Sequence, residues 1–293
     1  PSSLQKPMKR RLMIFLPLAL LGVGLLLLAF LWGSSWAFNR PSAASQAFLA
    51  EHPQGLEKIG PLTAAQSKPS SGRPEATLLF LHGSPGNWDA FAAYLNDPEL
   101  QARFHLVAPI RLGYDHKTDA CGELREHALA LADLAAELPA PHLWMGHSFG
   151  ATILLQLAVD HPEVVDGAVL LSGAMSPEYE PIRWFHRLGN LPFVRPLLPP
   201  AWNAANQESI GFAQGLTDLM PRWKEITCPI SILHAEDDRL AMVEHVDFAM
   251  EHLPHPPRVR RLPDGDHFLP WNRYNETKAV ILDLAAWVNE NET

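Results

Sequence analysis

The stretch Gly146-His147-Ser148-Phe149-Gly150 carries the clearest chemistry in this chain. A serine hydroxyl is a poor nucleophile until a neighbouring base removes its proton, and the base needs an acid to orient it. The spacing G-x-S-x-G suits a strand that turns at once into a helix. Such a turn lifts one side chain clear of the sheet, and small residues on either side let the backbone bend that tightly. The flanks fit, because His142–Met145 reads as a strand and Phe149–Asp160 as a helix. The backbone N–H of Phe149 then falls at a helix N-terminus, where donors are free and the dipole favours a negative oxygen. This is a setting for acyl transfer through Ser148.

In such a topology the acid and then the base follow the serine along the chain. Of the 14 histidines, those before Ser148 are in the wrong order, His161 precedes Pro162 at a helix end, and His252 and His255 flank a Pro-rich turn. His267 instead sits in Pro263-Asp-Gly-Asp-His-Phe-Leu269, a loop after the last strand and before the last helix. That makes His267 the candidate base. The acid belongs in a turn after a strand between the two. Ile232-Leu233-His234-Ala235-Glu236-Asp237-Asp238 offers three carboxylates there, and alternation does not choose among them.

The elements that position these residues alternate in type. Thr77–Leu81 is a continuous apolar run, as a strand buried on both faces would be. A helical stretch at 88–100, a strand at Phe104–Ala108 and an amphipathic helix within 120–138 follow. Beyond Ser148 come strands at Ala168–Leu171, Pro229–Leu233 and Val259–Leu262, with helices at Val243–His252 and Thr277–Asn289. Strands alternating with helices predict an α/β fold with a mostly parallel central sheet flanked by helices. Residues 40–75, rich in Pro, Ser, Ala and Gln, read as a tether or irregular segment, most linker-like at Lys68–Pro74.

From about Thr77 onward the chain resembles the α/β-hydrolase superfamily. His82-Gly83-Ser84-Pro85-Gly86 is similar to its H-G-x-P-G oxyanion loop, Gly146–Gly150 to its nucleophile elbow, and Asp264–Phe268 to its histidine loop. The resemblance implies Asp238 as the acid, three residues beyond the family's glycine position, with Asp237 as the alternative. It implies the backbone N–H groups of Ser84 and Phe149 as the oxyanion hole, and positioning or structural roles for His82 and His147. It also implies that the Pro-, Trp- and Phe-rich stretch at about 173–227 is a cap over the site, lining an apolar acyl pocket. Family members that open epoxides or remove halides carry Asp where Ser148 stands. The implied activity is therefore hydrolysis of an ester or thioester, with no cofactor and no metal. A non-catalytic membrane-tethered binding protein and an acyltransferase of the same fold are the alternatives. Three departures stand out. Ala235 replaces the family's Gly, Asp115 stands at the second Gly position of Arg111-Leu-Gly-Tyr-Asp115, and 40–75 shows little of the two opening strands, which predicts a shortened or irregular sheet edge.

Bulk properties narrow the partners. The net charge of −9, with no Lys/Arg cluster beyond the first dozen residues, argues against nucleic acid. Cys121 and Cys228 are too few for a disulfide framework and lack metal-site spacing. Lys6, Lys9, Arg10 and Arg11 precede an uncharged run, Leu12–Trp32, which as a helix would reach about 31 Å, close to a bilayer's hydrocarbon thickness. Trp32 and Trp36 stand where interfacial aromatics are expected. The expected organisation is a basic flank at 1–11, a transmembrane or signal-anchor helix at 12–32, a linker and N-terminal segment at 33–75, and a hydrolase domain at 76–293. The basic flank places that domain on the non-cytoplasmic side as a single-pass protein. Small residues at Ser35 and Ala37 allow the alternative of a cleaved signal and a secreted or periplasmic enzyme.

Overall fold

The computed structural model describes residues 5–38, 40–69, 72–115 and 117–291. Residues 1–4 of the basic flank, and Ser70 and Ser71 of the linker-like stretch, lie outside them. Helix α1 (Gln5–Phe38) contains the window Leu18–Trp36, with mean hydropathy 2.1 and only 6% of it buried. It is long and apolar enough to cross a membrane, as an anchor or a signal sequence would be.

The segment expected to be a tether is structured. Helix α2 (Ala43–Glu51), capped by Ser42, precedes a hairpin of β1 (Glu57–Ile59) and β2 (Leu62–Ser67). β2 pairs antiparallel with β4 (Phe104–Ile110), so the sheet keeps both opening strands and its edge is not shortened. The alternation signal failed because β2 reads Leu-Thr-Ala-Ala-Gln-Ser. Its buried polar atoms are matched locally: Gln66 Oε1 lies 2.8 Å from His105 Nε2, and Ser67 Oγ accepts from Gln101 Nε2 at 3.1 Å. Satisfied amide and hydroxyl groups are tolerated inside a sheet without an apolar pattern.

The remaining strands are β3 (Ala76–Leu81), β5 (His142–His147), β6 (Gly167–Leu171), β7 (Ile230–Ala235) and β8 (Arg258–Leu262). The eight form one sheet in the order β1-β2-β4-β3-β5-β6-β7-β8, parallel from β4 to β8. Helices α3 (Ala92–Leu95), α4 (Pro98–Arg103), α5 (Leu124–Ala136) and α6 (Phe149–Asp160) supply the first crossovers. Between β6 and β7 lie α7 (Trp184–Gly189) and α8 (Pro200–Leu219); α9 (Glu244–His252), α10 (Leu269–Asn272) and α11 (Tyr274–Asn291) complete the chain. Every residue of β3 is buried, because helices cover both faces. Leu79 and Leu81 join Trp144 and the apolar sides of α5 and α6 in one core layer. Leu78 and Phe80 join Phe91, Tyr94 and α11 in the other.

Candidate active site

Ser148 sits between the end of β5 and the start of α6 with φ 54° and ψ −123°. A non-glycine residue at positive φ is strained and persists only where its surroundings over-determine it. Here they do. A Cβ at Gly146 would lie 2.6 Å from the Gly150 carbonyl oxygen, and one at Gly150 would lie 2.6 Å from that of Leu81. The elbow therefore closes only with glycine at both positions. The serine's own N–H donates to Leu171 O at 2.9 Å, tying the turn to β6.

His267 follows β8 and donates from Nδ1 to Asp238 Oδ2 at 2.8 Å. Asp238 is buried in the turn after β7, whereas Glu236 and Asp237 are exposed. Its other oxygen accepts from the N–H groups of Leu240 and Ala241, each at 2.9 Å. Burial by itself would raise this carboxyl. The hydrogen bond from His267, the electrostatic attraction of that ring and the two N–H donors outweigh it, holding Asp238 below the usual carboxylate range. Asp238 therefore stays ionised and fixes the proton of His267 on Nδ1, leaving Nε2 as acceptor.

The structure thus brings Asp238 and His267 into direct contact, and it links His267 to the elbow through the serine's neighbour. His147 donates from Nε2 to the backbone carbonyl of His267 at 2.9 Å, and burial followed by the nearby His267 lowers its pKa to about 3. His147 is thus a neutral brace. Among the described residues, Ser148 Oγ makes no hydrogen bond; nucleophile-to-base bonds are often long before substrate arrives.

Ser84 lies in the loop after β3, whose Gly83 packs so closely on the elbow that a Cβ there would sit 3.0 Å from Ser148 Cβ. This loop is held from beneath by Arg111, whose side chain is fully buried. Its Nε and Nη2 donate to the carbonyls of His82 and Gly83 at 3.0 and 2.7 Å, and its Nη1 pairs with Glu208 of α8. Glu208 also accepts from Tyr114 Oη at 2.8 Å. Since Tyr114 has spent its one proton there, Ser84 Oγ–H is the donor in its 3.2 Å contact with Tyr114. His82 is neutral as well, its pKa pushed well down by burial and then by Arg111. It donates from Nδ1 to Gly83 O and accepts the Arg111 N–H. Sequence reasoning missed Glu208 and Tyr114. The available signal was a carboxylate on a helical stripe otherwise built of Ala204, Phe212 and Leu216.

Aromatic residues of the β6–β7 insertion divide in three. Phe212 packs on Phe149 with ring centroids 5.1 Å apart, and Trp223 is in the core. Trp184, Phe185 and Phe193 face outward, so the expected apolar wall around the site receives only part of that content. Beside His267, Phe268 and Trp271 are half exposed and Leu269 is core. Asp115 shapes its loop by accepting from the N–H groups of Lys117 and Thr118, which accounts for its place at the family's second glycine. Cys121 and Cys228 are unpaired.

A family model described as alpha/beta hydrolase fold matches residues 76–195, the span from β3 through the loop that follows it and the elbow into the β6–β7 insertion. The chain has the α/β-hydrolase fold. Solved structures of similar fold carry several activities in their own right. A lipase-esterase related protein from Clostridium acetobutylicum is 18% identical with a TM-score of 0.59, over 76% of this chain and 99% of that one. An enol-lactonase from Burkholderia xenovorans is 16% identical with a TM-score of 0.59, over 79% and 99%. A bacterial membrane phospholipase A is 19% identical with a TM-score of 0.57, over 96% and 99%. At these identities the likeness is one of fold.

Proposed function

We propose that this α/β-hydrolase is a membrane-held serine hydrolase that cleaves an ester or thioester of an apolar acyl group through an acyl-enzyme. The observation that carries the reading is the buried Asp238–His267 hydrogen bond beside a serine held at positive φ. His267 Nε2 takes the Ser148 proton as Oγ attacks the acyl carbon. The oxyanion so formed is met by the N–H groups of Ser84 and Phe149 at the start of α6, where free donors and the helix dipole favour it. The protonated His267 then gives its proton to the departing alcohol or thiol. Water, activated by the same base, releases the acid and restores Ser148. Asp238 stabilises the imidazolium in both halves.

Esterase, lactonase and phospholipase relatives of the fold support acyl chemistry on oxygen esters. Membrane retention by α1, with the catalytic domain on the non-cytoplasmic side, is supported by the length of its apolar window and the basic residues that precede that window. The test is labelling by a fluorophosphonate probe together with p-nitrophenyl esters graded by chain length. Wild type should be labelled and should prefer acyl chains beyond acetyl, and Ser148→Ala should lose both labelling and at least a thousandfold of the rate. Labelling that survives in Ser148→Ala rejects the assignment.

A further inference from the structure

Two hydrogen bonds join the C-terminal end of α1 to the β6–β7 insertion. Trp32 Nε1–H donates to Leu197 O at 3.1 Å, and Trp202 Nε1–H donates to Ser34 Oγ at 3.2 Å. Trp32 lies within the apolar window of α1, near its end, where an indole takes up the boundary between hydrocarbon and headgroups. Leu197 is therefore at that same depth. The chain around it is unusually apolar for a surface: Trp184 is 74% exposed, Phe193 72% and Leu197 50%, with Phe185, Leu188 and Leu191 also outward. Isolated exposed apolar side chains need no explanation, but six in one 14-residue stretch form a patch that water disfavours.

The charges of this stretch point the same way. Between Glu180 and Glu208 there is no carboxylate, while Arg183, Arg187 and Arg195 fall among the apolar residues, in a chain of net charge −9. Aromatic and aliphatic side chains interleaved with arginine, on a short amphipathic element, are the composition that settles into a lipid headgroup layer. A protein surface of this chain's own prevailing negative charge would gain less from the apolar component alone.

We infer that the face formed by α7 and the turn at 191–197 is a membrane-docking surface, which seats the insertion on the bilayer surface that α1 enters. This rests on the reading of α1 as a membrane anchor. The catalytic domain is then held at two places, so its orientation is fixed relative to the lipid. The insertion that packs Phe212 on the elbow becomes the wall nearest the headgroups.

The experiment uses the full chain in nanodiscs of three parts phosphatidylcholine to one part phosphatidylglycerol, one protein per disc. Spin labels are attached in a Cys228→Ser background through Phe193→Cys, Leu25→Cys in α1, and Leu129→Cys on the exposed face of α5. Relaxation by oxygen reports lipid, and relaxation by a water-soluble nickel chelate reports solvent. Labels at positions 193 and 25 should be oxygen-dominated, and the label at 129 nickel-dominated. Trp184→Cys reads the same face if Phe193→Cys does not fold. Oxygen dominance at 25 with nickel dominance at 193 and 184 overturns the docking surface and leaves the anchor standing. Nickel dominance at 25 overturns the anchor itself. Spin–spin broadening at 193, when two chains share one larger disc, would assign the face to a second copy instead and reject the lipid assignment.

Discussion

Replacing Glu208 by Gln removes one charge from a cluster that has no access to water. The carboxylate lies against Arg111, whose side chain is fully buried, accepts from Tyr114 at 2.8 Å and stands 3.4 Å from His127 Nε2. His127 offers no compensation, since burial followed by Arg111 lowers its pKa to about 4 and keeps it neutral. The guanidinium is thus left as an uncompensated buried cation, which costs about 3–5 kcal/mol. For a domain of this size that corresponds to a melting point lower by roughly 6–20 °C. Catalysis should suffer too, because Arg111 holds the carbonyls of His82 and Gly83, and these set the position of the Ser84 N–H. Full loss of one oxyanion donor lowers kcat by about 100- to 1000-fold, so loosening one should lower it by roughly tenfold with KM nearly unchanged. Thermal denaturation in detergent and initial rates on a p-nitrophenyl ester measure both effects. Glu99→Gln, which removes an exposed partner of Lys278, is the control and should cost less than about 1 kcal/mol. If Glu208→Gln melts within 2 °C of wild type and keeps its kcat, the buried pair does not hold the loop.

Three further outcomes follow from the same geometry. Asp238→Asn should lower kcat by roughly 10⁴-fold, because an amide stabilises the wrong imidazole tautomer, while the exposed Asp237→Asn should stay within about twofold of wild type in the same assay. The folded-state pKa of Asp238 is depressed, so its contribution to stability is present above the unfolded carboxyl value of 3.8 and is lost as pH falls through the lower folded value. Urea titrations from pH 6 to pH 3 should therefore show wild type losing stability below about pH 4 more steeply than Asp238→Asn, and parallel curves would count against the shift. Burial pushes both Cys121 and Cys228 up to about 12, so iodoacetamide at pH 8 should modify the folded chain far more slowly than the urea-unfolded one; equal rates would contradict the burial.

How much of this was legible beforehand depended on whether the deciding physics was local. The strands β3, β5, β6 and β7 are buried on both faces, so their sequences are mostly apolar and their ends fall within a few residues of expectation. The elbow is legible because two backbone approaches below 3 Å forbid any side chain at Gly146 and Gly150. By contrast, β2 hides its polar residues through hydrogen bonds to His105 and Gln101, partners roughly 35–40 positions away, and no window along the chain reports that. The choice among Glu236, Asp237 and Asp238 was likewise not local, since it turns on which carboxylate the loop after β8 meets. Arg111 looked like one letter of a motif, yet its place is set by a carboxylate 97 residues further on.

The long reach of these contacts also sets when the site can exist. The elbow's own close contacts are to β3, β5, α6 and β6, all within residues 76–171. The proposed base comes from much further along: the bond from His147 to His267 spans 120 residues, and the loop carrying His267 leads directly into α10 and α11. Contacts this far apart form late, because the intervening loop must close before they return any stability. The strained serine is therefore fixed by the middle of the chain, and the histidine it would work with is brought to it by a long-range contact. On the proposed reading, reactivity towards esters requires the loop after β8 to be seated against the elbow.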